Sequence, residues 1–428
     1  MQGEKMSKSA VTRIQAIVII VVIVAAVISV SAYWYVTTPT PTPKPPPPKE
    51  VVIGAVFPLS GAMARLGEWA MRGVTLAVEQ INAEGGVSIG GVKVPIELVW
   101  ADTTSDTTLA VAETERLIAF KRPCAMIGAY ASGITYAIQP VTERNQISLF
   151  TVSAADDITL RGFKYIFRMN MPNSKQAFVL VETVRALFQE HGLTLKKICG
   201  LWDKGIYGET YAKPAKALCT KYGIEYHEIR YDIGTKDFSP IVMEIKQFAP
   251  DIVASCAYLA DGALLVRTMV ELGAGDIRVY LTDFPAQGDE GIEVMGEAAE
   301  GKMGNSVCWG GIFRPSEPME KVKKEYQERW KEPLNICALE YYNVLWLMKI
   351  IIEEAGSTDS KVICETAHRI AIPNTQQRGT LGLLYPKDVV SWDALGDCNG
   401  INHGICQCID GKWEIIWPEE FKTAEFRP

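Results

Sequence analysis

Between residues 51 and 281, short apolar runs rich in β-branched residues alternate with amphipathic stretches, and no other feature of the chain constrains its fold as tightly. Val51–Phe57 (VVIGAVF) has no polar side chain, as befits a strand covered on both faces. A helical stretch follows over 67–83, where Trp69, Gly73, Leu76, Ala77 and Ile81 form one apolar stripe. The pattern then predicts strands at 94–100, 125–128 and 147–151, with helices at 107–120 and 133–144. A second series predicts strands near 197–202, 224–230, 251–256 and 277–281, with helices near 173–190, 208–222, 239–248 and 260–273. Strands alternating with helices mean βαβ units and parallel sheets flanked by helices. Two such series predict an α/β protein with two Rossmann-like lobes, each with its own core. After 316 the pattern changes to helices at 316–331, 335–356 and 359–370, a strand at 379–384 and a hairpin over 404–417. Asp410-Gly411 would turn that hairpin, which is expected at a sheet edge.

The chain has 428 residues, 43 basic and 50 acidic, for a net charge of −7. Residues 1–49 hold five basic groups and one acid, leaving 38 basic and 49 acidic groups, or −11, in the remainder. A body this acidic, with no basic run, is not built to bind nucleic acid, where phosphate neutralisation dominates affinity.

Ile14–Val36 carries no charge, with Lys5, Lys8 and Arg13 before it and Tyr33, Trp34 and Tyr35 at its far end. This reads as a transmembrane anchor over 14–36 behind a short cytoplasmic end (1–13). The rival reading is a cleaved signal peptide with Val30-Ser31-Ala32 as its cleavage site. Both export the rest of the chain. Residues 37–49 (TTPTPTPKPPPPK) form a Thr/Pro-rich stalk, extended because proline fixes φ and removes amide donors. The expected location is the cell membrane, single-pass, with the body outside the cytoplasm.

In open α/β sheets ligands bind beyond the carboxyl ends of strands. Candidate contacts are therefore polar residues in those loops. Ser132 begins a helix after the third strand; it either caps that helix or helps its N-terminus hold a carboxylate. Ser153 to Asp157 follow the fourth strand. In the second series, Tyr207, Tyr258 and Asp283 each follow a strand. The nucleophile-elbow, phosphate-loop and zinc-protease motifs are absent, so no enzyme activity is expected. Cys398, Cys406 and Cys408 lie close together with His403 between them, but the spacing matches no common zinc pattern. In an exported domain a disulfide is the expectation, Cys398 pairing with Cys406 or Cys408, with Cys199–Cys219 a weaker candidate. No metal or cofactor is expected.

Gly54-Ala-Val-Phe-Pro-Leu-Ser-Gly61, Arg72-Gly73, Ile81-Asn-Ala-Glu-Gly-Gly86 and Arg161-Gly-Phe-Lys-Tyr-Ile-Phe-Arg168 together resemble the leucine/isoleucine/valine-binding protein family. Tyr207-Gly-Glu209, Lys236-Asp-Phe-Ser239, Ala299-Glu-Gly301 and Gly411-Lys-Trp413 continue the series, so the resemblance covers about 51–417. It implies the type 1 periplasmic-binding fold, two lobes joined by three hinge crossovers near 170, 303 and 402. The lobes would be 51–171 plus 304–401 and 172–303 plus 402–418. It implies a solute-binding protein of an ABC importer, with permease and ATPase subunits as partners and a branched-chain or other apolar amino acid as ligand. Residue by residue, it implies that Ser132 and the loop Ser153 to Ala155 meet the ligand's charged groups, Tyr207 and Tyr258 line the opposite wall, and Asp283 binds the ammonium. Leu66, Trp69 and Tyr130 would form the pocket rim. Ala155 stands where the family's amino-acid binders carry a hydroxyl, which leaves that contact to Ser153 or Asp156. The alternatives are a ligand-sensing receptor ectodomain acting through a partner, or an importer component for an amide, an aromatic acid or another small organic solute.

Overall fold

The computed structural model describes residues 8–37, 48–282, 288–306, 317–373, 389–399 and 403–428. The chain divides into two units, Met1–Pro47 and Pro48–Pro428. In the first, α1 runs over Lys8–Thr37. The expected membrane span is not borne out: among the described residues no helix is long and apolar enough to cross a membrane.

The second unit contains two main sheets. β1 (Val51–Phe57), α2 (Ala64–Ala83), a small hairpin of β2 (Val87–Ile89) and β3 (Val92–Val94), β4 (Ile96–Asp102) and α3 (Thr107–Lys121) come first. β5 (Ala125–Gly128), α4 (Ser132–Arg144), β6 (Ser148–Thr151), α5 (Asp157–Leu160) and β7 (Ile166–Arg168) follow. The first sheet has the order β4-β1-β5-β6-β7, all parallel. The chain then passes through α6 (Asn173–Phe178), a π-turn over 179–183 and α7 (Val184–Glu190). β8 (Lys197–Asp203), α8 (Ile206–Tyr222), β9 (Glu225–Tyr231), α9 (Ser239–Phe248), β10 (Ile252–Cys256), α10 (Leu259–Glu271) and β11 (Arg278–Thr282) form the second series. α11 (Asp289–Met295) and β12 (Met303–Ser306) complete it.

α12 (Glu317–Trp330), α13 (Ile336–Ala355) and α14 (Ser360–Arg369) follow in succession, then the short pair β13 (Ile372–Pro373) and β14 (Val389–Val390). The expected strand at 379–384 lies outside the described residues. β15 (Gly404–Ile409) and β16 (Lys412–Trp417) make the final hairpin. It joins the second sheet, whose order is β16-β15-β12-β11-β10-β8-β9, as an antiparallel edge. Both turn residues, Asp410 (φ 52°) and Gly411 (φ 72°), take the left-handed conformation that a two-residue hairpin turn demands. Their amides donate to the Glu300 carboxylate at 3.0 and 3.1 Å, tying two of the sequence motifs together.

The reasons for these elements are local. Asp106 accepts from Leu109 N at 2.8 Å and starts α3, and Asn335 accepts from Ala338 N at 2.9 Å and starts α13. α2 packs against α13 so closely that a Cβ at Gly73 would strike the Ala338 carbonyl. β7 and β12 carry only three and four residues, too few to show as apolar runs in the sequence.

The sheets also dispose of the cysteine expectation. No disulfide joins Cys398 to Cys406 or Cys408, and all three are buried. Cys398 lies in the core that includes the first sheet, whereas Cys406 and Cys408 point from β15 into a separate core on the second sheet. Cys199, on β8, and Cys219, on α8, are likewise free and lie in different cores. Among the described residues no group of His, Cys, Asp and Glu could hold a metal ion.

Candidate functional site

Each sheet reverses its order once in a way that opens a crevice. In the first, β1 has β4 on one side and β5 on the other; in the second, β8 has β9 on one side and β10 on the other. The connections leaving such neighbours run to opposite faces, so the space beyond their carboxyl ends stays open. Those ends supply Tyr130 and Ser132 after β5, Tyr207 after β8 and Tyr258 after β10. All four line one cavity, together with Val152, Ala154, Asn170 and Glu340. The Tyr258 ring lies 6.3 Å from Tyr130 and 5.8 Å from Tyr207, centroid to centroid, so rings from both sheets' loops meet. The enclosed space is about 10 Å³, room for about one water. A solute of amino-acid size enters only if the walls move apart.

Tyr130 has φ 68°, a left-handed kink that presents its ring at the start of α4. Ser132 is buried, but it does not cap its helix: Ala131 holds the N-cap position and no side chain caps it. The Ser132 hydroxyl instead accepts from Ala155 N at 3.3 Å. Tyr207 begins α8, and Gly208 lets the helix lie against the Asp203 carbonyl, which a Cβ would strike. The Tyr207 hydroxyl lies 3.0 Å from Thr282 Oγ1 at the end of β11.

Other expected contacts lie elsewhere. The Ser153 hydroxyl donates to Tyr130 O at 2.8 Å and lies 2.6 Å from Thr135 Oγ1, so it supports the Tyr130 loop from behind. Ala155 is fully buried and its carbonyl accepts from Arg168. Asp156, its pKa raised by burial, accepts from Ser174 N at 2.9 Å and from the Ser174 hydroxyl. Leu66 and Trp69 are buried in α2; Trp69 Nε1 donates to Glu332 at 3.4 Å, away from the cavity. Asp283 lies outside the described residues.

Two buried clusters hold the cavity walls. The Arg168 guanidinium, 1% exposed, pairs with Asp397 at 2.6 Å and donates to Ala154 O, Ala155 O and Thr159 Oγ1 at 3.1, 2.5 and 2.9 Å. The second cluster sits where the chain passes between the sheets. His403 lies 3.1 Å from Asn170 Oδ1 and 2.9 Å from Asn305 Nδ2, and Asn305 donates to Gln176 at 3.0 Å. Burial lowers the His403 pKa to about 3, so the ring is neutral.

A family model described as periplasmic binding protein matches residues 50–378. The chain belongs to the periplasmic binding protein family. Within it, a Leu/Ile/Val-binding protein homolog from Brucella melitensis is 27% identical over 372 residues, covering 85% of this chain and 92% of that protein. Two solved structures share the fold. One is the branched-chain amino acid transporter substrate binding protein LivJ from Streptococcus pneumoniae in complex with isoleucine (22% identity, TM-score 0.72, 86% of this chain and 100% of that one). The other is an ABC transporter solute-binding protein from R. palustris in complex with benzoate (20% identity, TM-score 0.72, 86% and 95%). The family resemblance read from the sequence motifs is thus borne out.

Asn170 and Glu340 line the cavity without having been singled out in the sequence. Glu340 left one trace, an acid among the apolar residues of α13; Asn170, between two methionines, left none.

Proposed function

We propose that this protein is an extracytoplasmic solute-binding component of an ABC importer. It captures a small solute, a branched-chain or other apolar amino acid, between two lobes and delivers it to membrane permease subunits served by an ATPase. The lobes are 51–171 with 304–401, and 172–303 with 402–418. The observation that carries this reading is the cavity where loops from both sheets' reversal points converge, with Ser132 facing Tyr207 and Tyr258. The ligand carboxylate would sit at the first turn of α4, where free N–H groups and the helix dipole favour an anion. The near-closed cavity fits a cycle in which the ligand selects the closed lobes through contacts to both.

A second reading keeps the importer role but takes an aromatic acid. The three tyrosines favour it, as does Ala155, which offers no hydroxyl to an amino acid. A thermal-shift panel on the full-length protein, purified in mild detergent and freed of co-purified ligand, separates the two. A ligand at ~1,000 times its dissociation constant adds about 4 kcal/mol. Stabilisation by leucine, isoleucine or valine supports the first reading. Stabilisation by benzoate alone supports the second. No stabilisation by any amino acid, amide or organic acid removes both.

A further inference from the structure

Four buried polar side chains, Asn170, Gln176, Asn305 and His403, meet where the chain passes between the sheets. Asn170 and Gln176 lie on the passage from β7 into α6, Asn305 belongs to β12, and His403 leads into β15. None is more than 4% exposed. Polar groups this deep are costly unless they satisfy one another, and a satisfied network fixes a single arrangement. The Asn305 amide nitrogen can only donate: it gives one proton to Gln176 Oε1 at 3.0 Å and one to His403 Nδ1 at 2.9 Å. Nδ1 is therefore the acceptor, and the neutral ring carries its proton on Nε2. That proton is donated to Asn170 Oδ1 at 3.1 Å. Asn170 Oδ1 also accepts from Met171 N at 2.7 Å, and Asn170 Nδ2 donates to Val152 O at 2.8 Å. Gln176 Nε2 donates to Met171 O at 2.9 Å, which ties α6 to the same passage. Asn170 and Val152 both line the cavity. A continuous run of hydrogen bonds thus leads from β12 of the second sheet, through His403, to two residues of the cavity wall.

We propose that His403 is a positioning residue of the binding site: it bridges β12 to the segment after β7, holds Asn170 and Val152 in place, and so sets the affinity for solute from behind the cavity wall. The inference rests on the binding role proposed above and adds that this wall is held from the other sheet. The position calls for a side chain with a donor on one side and an acceptor on the other. An apolar ring of the same shape takes one bond from Asn170 Oδ1 and one from Asn305 Nδ2. A glutamine amide carries a donor and an acceptor side by side and can restore both.

The test uses the full-length protein, with leucine and benzoate as probes in calorimetric titration. Whichever probe the wild type binds is titrated into His403→Phe, His403→Gln, Asn170→Ala and the double variant His403→Phe/Asn170→Ala. His403→Phe should weaken binding roughly 3–10-fold, the loss expected for a neutral hydrogen bond. His403→Gln should return it to within about 2-fold of wild type. Because His403 acts through Asn170, the double variant should bind no more weakly than Asn170→Ala alone. A general structural role would instead give a double variant whose loss is the product of the two single losses, and that result would overturn the proposal. So would His403→Phe binding within about 2-fold of wild type, or His403→Gln binding as weakly as His403→Phe. Should His403→Phe fail to fold, Asn305→Leu removes the donor to Nδ1 and takes its place in the cycle, with the same expected result. Binding of neither probe by the wild type would remove the binding reading and this inference with it; wild-type binding with independent losses would remove the inference alone.

Discussion

Replacing Arg168 by methionine should destabilise the protein and loosen its binding site together. The guanidinium is 1% exposed and meets Asp397, two loop carbonyls and a threonine hydroxyl. Methionine fills much of the volume but leaves the Asp397 carboxylate, 15% exposed, without its charge partner. It also strips the Ala154 and Ala155 carbonyls of a shared donor. Removing one member of a buried pair costs ~3–5 kcal/mol. Asp397 retains some solvent and the Thr159 hydroxyl at 3.1 Å, so the low end, about 3 kcal/mol, applies. Because Ala154 lines the cavity, leucine affinity should fall as well. The double variant Arg168→Met/Asp397→Leu should recover at least half of the lost stability, since no charge is then stranded. Urea unfolding followed by circular dichroism compares the stability of wild type, single and double variants, and calorimetric titration measures the affinity. A single variant within about 1 kcal/mol of wild type, or a double variant no better than the single, would refute the reasoning.

Three further outcomes follow from the same structure. Ser132→Asp puts a negative charge at the α4 terminus and should abolish stabilisation by any carboxylate-bearing solute, read as the melting-temperature shift on adding solute against the variant's own unliganded melting temperature; a shift equal to wild type would refute it. Gly73→Ala drives a methyl into the Ala338 carbonyl and should cost about 1–3 kcal/mol in urea unfolding; a neutral result would mean that α2 and α13 pack less closely. His403 binds its proton near pH 6.5 when unfolded but only near 3 when folded, so the unfolded state holds more protons between these values. Stability from this group is complete above about pH 6.5 and falls as pH drops towards 3, at up to ~1.4 kcal/mol per unit. Buried Glu290, pushed up to about 7, acts oppositely as pH rises from about 4.5 to 7, so the His403 contribution is read as wild type minus His403→Gln. A difference that is flat with pH would refute it.

The alternation of strands and helices was legible because parallel strands buried on both faces have no polar side to interrupt the run. Ser132, Tyr207, Tyr258 and Tyr130 were legible for a related reason: each follows a strand end, where the fold opens its crevice. Ser153 obeys the same rule, yet its hydroxyl turns inward to Tyr130 O, a choice made by a one-residue change of direction that no pattern records. Leu66 and Trp69 show the limit of a helical stripe, since a rim and a packed interface have the same spacing. The cysteines mislead for a similar reason. Proximity in sequence put Cys398 and Cys406 together, whereas the sheets put their thiols in different cores. Glu340 reaches the cavity only through the packing of α13, a contact between distant segments that local pattern cannot express.

The most direct measurement is equilibrium dialysis of radiolabelled leucine against the full-length protein and a Ser132→Trp variant, whose much larger side chain would fill the cavity. Saturable binding of one leucine per wild-type chain, lost in a variant that melts normally, is the predicted result. Undiminished binding by Ser132→Trp would put the site elsewhere and contradict the account.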